Sequence, residues 1–157
     1  MNRNEVKKRE ISSRIKVDRE KCIGCLGCMS ACIVSHDGQS PRNRVVISSE
    51  NVNSPIFCRH CDLPECTYTC MSGALFIDKA TGYVLYDSEQ CGSCYMCVMG
   101  CPYGVLRPDK LDGKVAKCDM CVSHADVIKN TPQCVARCPM NAITLEVIDE
   151  PKGGADS

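Results

Sequence analysis

The sequence predicts a small α+β fold in which short strands and short helices surround clustered metal ligands. Three observations lead to this class: 16 cysteines among 157 residues, brief alternating segments separated by turn residues, and few large apolar side chains. The chain has no tryptophan and only 2 phenylalanines. Bound metal groups are therefore expected to act as folding nuclei, and we expect the metal-free chain to be largely unfolded.

The cysteines fall into four groups of four. In chain order, the groups are Cys22, Cys25, Cys28 and Cys32; Cys58, Cys61, Cys66 and Cys70; Cys91, Cys94, Cys97 and Cys101; and Cys118, Cys121, Cys134 and Cys138. The first and third groups have the spacing C-x2-C-x2-C-x3-C, and Pro102 directly follows the third. This run is typical of bacterial iron–sulfur proteins, where three cysteines bind one cluster and the fourth binds a neighbouring cluster. The sequence therefore predicts four [4Fe–4S] clusters.

Short strands are predicted from alternating apolar residues and flanking turns. The predicted strands cover 14–18, 44–48 and 141–148, with a hairpin formed by 74–78 and 83–86. Residues 111–117 are expected to form a turn with Asp112 and Gly113 at its tip, and the segment ending at Pro55 a loop. Each cysteine group is expected on a loop leading into a short helix that begins near the third cysteine and carries the fourth.

Composition and charge exclude several classes of function. The 19 basic residues balance the 19 acidic ones, so nothing marks a nucleic-acid partner. The first ten residues are polar and charged, unlike a signal peptide, and no apolar run is long enough to span a membrane. A cytoplasmic location is expected, because thiols stay reduced there and clustered cysteines then act as metal ligands.

The residues alone leave open which groups exchange their fourth cysteines. Cys70 is followed by a hairpin and then by Cys91, and this arrangement resembles the middle of a bacterial two-cluster ferredoxin over about residues 56–106. The resemblance implies that the second and third groups share one module. The first and fourth groups then form the other.

Residues 14–148 resemble the four-cluster iron–sulfur subunits of dimethyl sulfoxide reductase, formate dehydrogenase and related hydrogenase systems. The motifs that carry the resemblance are Cys58-Arg-His-Cys61, Val98-Met-Gly-Cys101-Pro102 and Lys117-Cys118-Asp-Met-Cys121. The family implies two bacterial-ferredoxin-like modules, one nested within the other. The outer module would comprise 14–55 plus 107–150 and the inner one 56–106, with flexible tails at 1–13 and 151–157. Strands 14–18 and 143–148 would pair.

The same resemblance implies four ligand sets, numbered here as clusters 1 to 4. Cluster 1 would be bound by Cys22, Cys25, Cys28 and Cys138, and cluster 2 by Cys32, Cys118, Cys121 and Cys134. Cluster 3 would be bound by Cys58, Cys61, Cys66 and Cys101, and cluster 4 by Cys70, Cys91, Cys94 and Cys97. Each set takes the first three cysteines of one group and the fourth cysteine of its partner group.

The implied function is electron transfer without catalysis, because no nucleophile–base pair, phosphate-binding loop or open metal site is present. The compact chain most resembles the electron-transfer partner of carbon monoxide dehydrogenase, which implies a hydrogenase or a flavin NAD(P) oxidoreductase as electron acceptor. Two alternatives stay open: a subunit of a molybdopterin oxidoreductase, formate dehydrogenase or hydrogenase, and a zinc-stabilised interaction module. The three-cysteine runs disfavour zinc, whose structural sites are tetrahedral.

Other residues near the ligands have weaker functional signals. His36, His60 and His124 could bind metal, but the cysteines already fill four sites, so packing or a hydrogen bond near a cluster is favoured for His60. Four charged residues flank ligands and could be solvated, raise a potential or guide a partner. They are Lys21, Arg59, Lys117 and Arg137.

Overall fold

The computed structural model describes residues 13–38, 40–50, 52–123 and 131–147. Its helices are α1 (Gly27–Ser35), α2 (Glu65–Tyr68), α3 (Met96–Gly100) and α4 (Gln133–Ala136). Its strands are β1 (Ser13–Val17), β2 (Arg44–Ile47), β3 (Asn53–Ile56), β4 (Leu75–Ile77), β5 (Val84–Tyr86), β6 (Arg107–Pro108), β7 (Val115–Ala116) and β8 (Ile143–Val147). The short, mixed elements agree with the predicted α+β class.

Strands β1 and β8 join the two ends of the described chain as an antiparallel pair. Ile15 lies opposite Leu145 and Val17 opposite Ile143. The pairing predicted for 14–18 and 143–148 is confirmed. Of the two predicted tails, 1–13 and 151–157, only Ser13 is described, and it is the first residue of β1.

Three further antiparallel pairs complete the sheet structure of the described residues: β2–β3, β4–β5 and β6–β7. The β4–β5 hairpin and the turn around Asp112 and Gly113 form as predicted. The loop predicted up to Pro55 was wrong, because that segment forms β3 and Pro55 lies opposite Val45. A two-stranded sheet has only edge strands, and these tolerate a proline that has no N–H to donate.

The four helices of the described residues begin beside the third cysteine of each group, as predicted. Only α1 also contains its fourth cysteine, Cys32; the others end before theirs, so that part of the prediction was wrong. Cys101 has an extended backbone (φ −77°, ψ 112°). Proline disfavours the helical conformation in the residue before it, and prolines follow both Cys101 and Cys138. The helices pack in pairs, α1 against α4 and α2 against α3.

The apolar core is small and includes cysteines. One cluster of buried residues contains Leu75, Val84, Cys97 and Val115. A second combines Cys28, Phe57, Cys134 and Ile143. Val115, from the predicted outer module, thus packs with residues of the inner module.

None of the described helices has the length and apolar character needed to cross a bilayer.

Candidate metal centres

All sixteen cysteines lie within the described residues as free thiols. Eight of them line two cavities, and none is paired as a disulfide. The fourth cysteine of a group therefore has to be located relative to the other groups.

A cavity of about 390 Å³ lies beside the second group. The cysteines in its walls are Cys58, Cys61, Cys66 and Cys101. Burial raises the pKa of the Cys66 thiol to about 11; Lys117 opposes this shift, and Cys58, Cys101 and Cys61 add to it. Burial also raises the pKa of Cys61, with further contributions from Cys58 and Cys101. The fourth cysteine of the third group thus lies with the first three of the second.

At the third group, the fourth cysteine of the second group influences a neighbouring thiol. Burial raises the pKa of Cys97 to about 11, and the largest contribution from another thiol is that of Cys70. Cys91 contributes as well. Cys70 follows α2 and Cys97 lies on α3, and these two helices are in contact. Cys94 is exposed at the surface.

The first group meets the end of the fourth in a smaller cavity. The cysteines in its walls are Cys22, Cys25, Cys28 and Cys138. Burial raises the pKa of Cys28 to about 11, and Cys22 and Cys25 add to the shift. Cys25 is exposed. The outermost cysteines of the chain therefore lie together.

The remaining cysteines surround α4. Burial raises the pKa of Cys134 to about 12, and Cys121 and Cys32 are its strongest thiol neighbours. Burial also raises the pKa of Cys118 well above its usual value, with contributions from Cys58 and Cys134. Cys118 is thus close to Cys134 on α4 and to Cys58 in the large cavity.

Hydrogen-bond donors already point at several of these sulfurs. Three of the donors are backbone N–H groups. That of Arg42 donates to Cys32 Sγ at 3.3 Å, that of Ser93 to Cys91 Sγ at 3.4 Å, and that of Met120 to Cys118 Sγ at 3.4 Å. Lys117 Nζ donates to Cys58 Sγ at 3.3 Å. Such donors stabilise thiolate ligands and raise the potential of iron–sulfur clusters. The cysteine-lined cavities with sulfur-directed donors fit cluster binding.

The loops that place the ligands come in two forms. Before α1 and α3, Leu26 and Tyr95 have left-handed backbones with φ of 60° and 58°. Before α2 and α4, Pro64 and Pro132 occupy the same position, two residues before the third cysteine. The carbonyl of each capping residue accepts the first backbone bonds of its helix. The first and third groups are therefore structural repeats, as are the second and fourth.

His60 lines the large cavity and is 2% exposed. Its Nδ1 accepts a hydrogen bond from the Val84 N–H at 3.0 Å, so the neutral ring carries its proton on Nε2. Nε2 has no hydrogen-bond partner among the described residues. Burial, reinforced by Lys117, holds the pKa of His60 well below its usual value. A neutral donor beside four thiols fits the predicted hydrogen-bonding role.

His36 lies beside the cysteines around α4. Its Nε2 is 3.3 Å from Asp119 Oδ1, and its Nδ1 is 2.8 Å from the Cys32 carbonyl oxygen. Although burial lowers the pKa of His36, its bonds to Asp119 and Cys32 raise it to about 9. Ligand atoms of His36, Asp119 and Cys121 lie within 4.8 Å of one another. His124 lies outside the described residues.

The charged residues that flank ligands differ in their surroundings. Lys21 is exposed and pairs with Asp18 at 3.2 Å, and the Arg59 guanidinium lies 4.3 Å from the centre of the Tyr103 ring. Lys117 alone among the four is buried, at 2% exposure. The sequence does not predict this burial, because a lysine is ordinarily at the surface.

Residues 49–148 match a family described as a 4Fe–4S dicluster domain. Electron transport protein HydN of Escherichia coli is 34% identical over 157 residues, covering 82% of this chain and 85% of HydN. Protein NrfC of the same species is 33% identical over 144 residues, covering 85% of this chain and 65% of NrfC. The β subunit of NADH-dependent phenylglyoxylate dehydrogenase of Aromatoleum evansii is 34% identical over 138 residues, and the match covers 83% of this chain but 29% of that subunit.

The family match covers more than half of the chain and includes all cysteines of the second, third and fourth groups. Together with the cysteine-lined cavities, it identifies [4Fe–4S] clusters as the cofactors. The chain belongs to the 4Fe–4S dicluster family.

Proposed function

We propose that this protein carries electrons between a catalytic oxidoreductase and an acceptor by means of four [4Fe–4S] clusters. When bound, each cluster accepts and releases one electron at a time. The ligand sets that we propose are Cys22, Cys25, Cys28 and Cys138 for cluster 1; Cys32, Cys118, Cys121 and Cys134 for cluster 2; Cys58, Cys61, Cys66 and Cys101 for cluster 3; and Cys70, Cys91, Cys94 and Cys97 for cluster 4. HydN, a relative named as an electron transport protein, supports this class of function.

One observation carries the ligand assignment: the large cavity joins Cys101 to three cysteines of the second group. This shared cavity supports Cys101 as a ligand of cluster 3 rather than of the cluster of its own group. The influence of Cys70 on Cys97 supports the reverse exchange, and the shared cavity of Cys28 and Cys138 supports the exchange between the first and fourth groups.

The nested modules are part of the proposal. The contact of α2 with α3 supports an inner module over 56–106, and the contact of α1 with α4 supports an outer module of 14–55 plus 107–150. The β1–β8 pair would close the outer module.

We place the clusters in the order 1, 2, 3, 4. Clusters 1 and 2 would share the outer module, and clusters 3 and 4 the inner one. The contribution of Cys58 to the raised pKa of Cys118 supports a junction between clusters 2 and 3. The ends of this order hold the two exposed cysteines, Cys25 and Cys94, so a donor and an acceptor would each find a cluster near the surface.

Iron and acid-labile sulfide analysis of anaerobically purified protein tests the cluster content. Four cubane clusters require about sixteen of each per chain. Near-zero sulfide together with bound zinc would instead support a zinc-stabilised interaction module.

For the catalytic partner we propose carbon monoxide dehydrogenase, with a hydrogenase or a flavin NAD(P) oxidoreductase as acceptor. The proposal rests on the resemblance of this compact chain to such electron-transfer partners. Anaerobic co-purification from cells is the test: a nickel–iron–sulfur subunit supports this partner, and a molybdopterin subunit supports the molybdenum alternative. Retention of the complex in the cytoplasmic fraction would support the expected location.

A further inference from the structure

Lys117 is a fully buried lysine between two cysteine sets. Its residue is 2% exposed, and it follows β7 directly. The ammonium donates hydrogen bonds to the carbonyl oxygens of Val84 at 2.7 Å and Cys118 at 2.6 Å. Its third bond goes to Cys58 Sγ at 3.3 Å. The side chain therefore occupies one fixed position beside the large cavity.

No carboxylate of the described residues forms an ion pair with Lys117. Among the described residues, the ion pairs made by lysines are those of Lys16 and Lys21. A buried ammonium is costly unless an opposite charge lies close. Among the described residues, the group able to carry negative charge that Nζ contacts is the sulfur of Cys58, a proposed ligand of cluster 3. The thiolate-bound cluster would therefore act as the counter-charge of Lys117.

The position of Lys117 joins the two modules. Nζ contacts Cys58 of cluster 3, and the peptide bond links Lys117 to Cys118 of cluster 2. His60, also in the cavity wall, offers a neutral donor. Lys117 thus supplies the positive charge.

We propose that Lys117 is a positioning residue that raises the reduction potential of cluster 3, and to a smaller degree that of cluster 2. One-electron reduction adds one negative charge to a cluster, and a fixed cation a few ångströms away favours that product. Clusters 1 and 4, whose proposed ligands make no hydrogen bond with the ammonium among the described residues, keep their potentials. The inference rests on the proposed ligand sets.

Three variants separate charge from hydrogen bonding. Lys117→Gln keeps a donor and removes the charge, Lys117→Met removes both, and Lys117→Arg keeps the charge. Lys79→Gln is the matched control, because Lys79 is an exposed lysine near the end of β4. Each protein is titrated with dithionite at controlled potential, and the clusters are followed by electron paramagnetic resonance. Cys61→Ser identifies which signal belongs to cluster 3.

In Lys117→Gln we expect the ratio of reduced to oxidised cluster 3, at the wild-type midpoint, to fall about tenfold, a shift of about 59 mV for one electron. Lys117→Met should shift at least as far, and Lys117→Arg and Lys79→Gln should stay near the wild type. If Lys117→Met loses iron, Lys117→Gln decides the outcome.

Unchanged potentials in an iron-replete Lys117→Gln protein would overturn the inference. A shift that spares the signal of cluster 3, which Cys61→Ser identifies, would overturn it as well. These results differ from a failure of the proposed function. That failure would appear in the wild-type protein itself as missing sulfide.

Discussion

The middle and the two ends of the proposed cluster order surround their cysteines differently. In the middle, Cys58 and Cys118 flank a buried lysine whose ammonium bonds to one sulfur and to the other residue's carbonyl. At the ends, Cys25 and Cys94 are exposed, beside Ile23 at 59% exposure and Met96 at 43%. In the proposed cluster order, the middle would shield and tune clusters, and the ends would meet partners.

Stepwise removal of iron should reveal the difference between the ends and the middle with the largest effect. We expect an anaerobic chelator to take iron first from the sets that include Cys25 and Cys94, and later from the middle sets. After complete removal the helices and strands should be lost, because isolated two-stranded sheets are marginal and cysteines form part of the core. Circular dichroism measures the structure, and paramagnetic resonance follows each cluster.

The comparison would fail if all four sets lost iron at one rate. Separately, an iron-free chain that kept the wild-type circular dichroism spectrum would contradict the role of the clusters as folding nuclei.

Ile143→Ala tests the packing around α1 and α4. Ile143 is 2% exposed and packs with Cys28 and Cys134, so truncation should cost about 2–5 kcal/mol of stability. Val147→Ala is the control on the same strand, since Val147 is 66% exposed. The guanidinium midpoint for loss of cluster absorbance should fall in the first variant and stay near the wild type in the second. Equal shifts would show that the β1–β8 pair, rather than the core, sets the stability.

The two ends can be compared through their glycines. Gly24, in the first group, has φ of +69°, and an added Cβ would lie 2.6 Å from Asn53 Oδ1. At Gly92, in the third group, a Cβ would meet nothing within 4 Å. Gly24→Ala should therefore cost about 1–3 kcal/mol and lower the iron content of cluster 1, whereas Gly92→Ala should be tolerated. Iron analysis and the guanidinium midpoint measure both, and a greater loss in Gly92→Ala would contradict this geometry.

The smallest effect is expected at the β1–β8 surface. Lys16 Nζ lies 3.7 Å from Glu146 Oε1, and both side chains are more than half exposed. Glu146→Gln should change stability by less than about 1 kcal/mol, as judged by the same midpoint at low and moderate salt. A large, salt-dependent loss would show that this exposed pair matters more than its solvent contact suggests.

Much of the site could be predicted because its information is local. Cysteine spacing located the four helix starts, and alternation located β1, β2, β4, β5 and β8. Strand β3 could not be predicted, because a proline argues against a strand in the interior of a sheet. Pro55 is tolerated here because β3 is an edge strand, which the sequence does not reveal. The helix ends depended on local caps and on the backbone of residues such as Cys101. Lys117 could not be predicted to be buried, because its bonds to Cys58 and Val84 join residues far apart in the chain.

The exchange of fourth cysteines is the central claim, and Cys101→Ser tests it most directly. Paramagnetic resonance spectra of the reduced variant are compared with those of Cys61→Ser and Cys94→Ser. We predict that Cys101→Ser alters the same signal as Cys61→Ser, because both residues would bind cluster 3, and that the signal altered by Cys94→Ser stays intact. A change confined to the signal of Cys91, Cys94 and Cys97 would contradict the assignment.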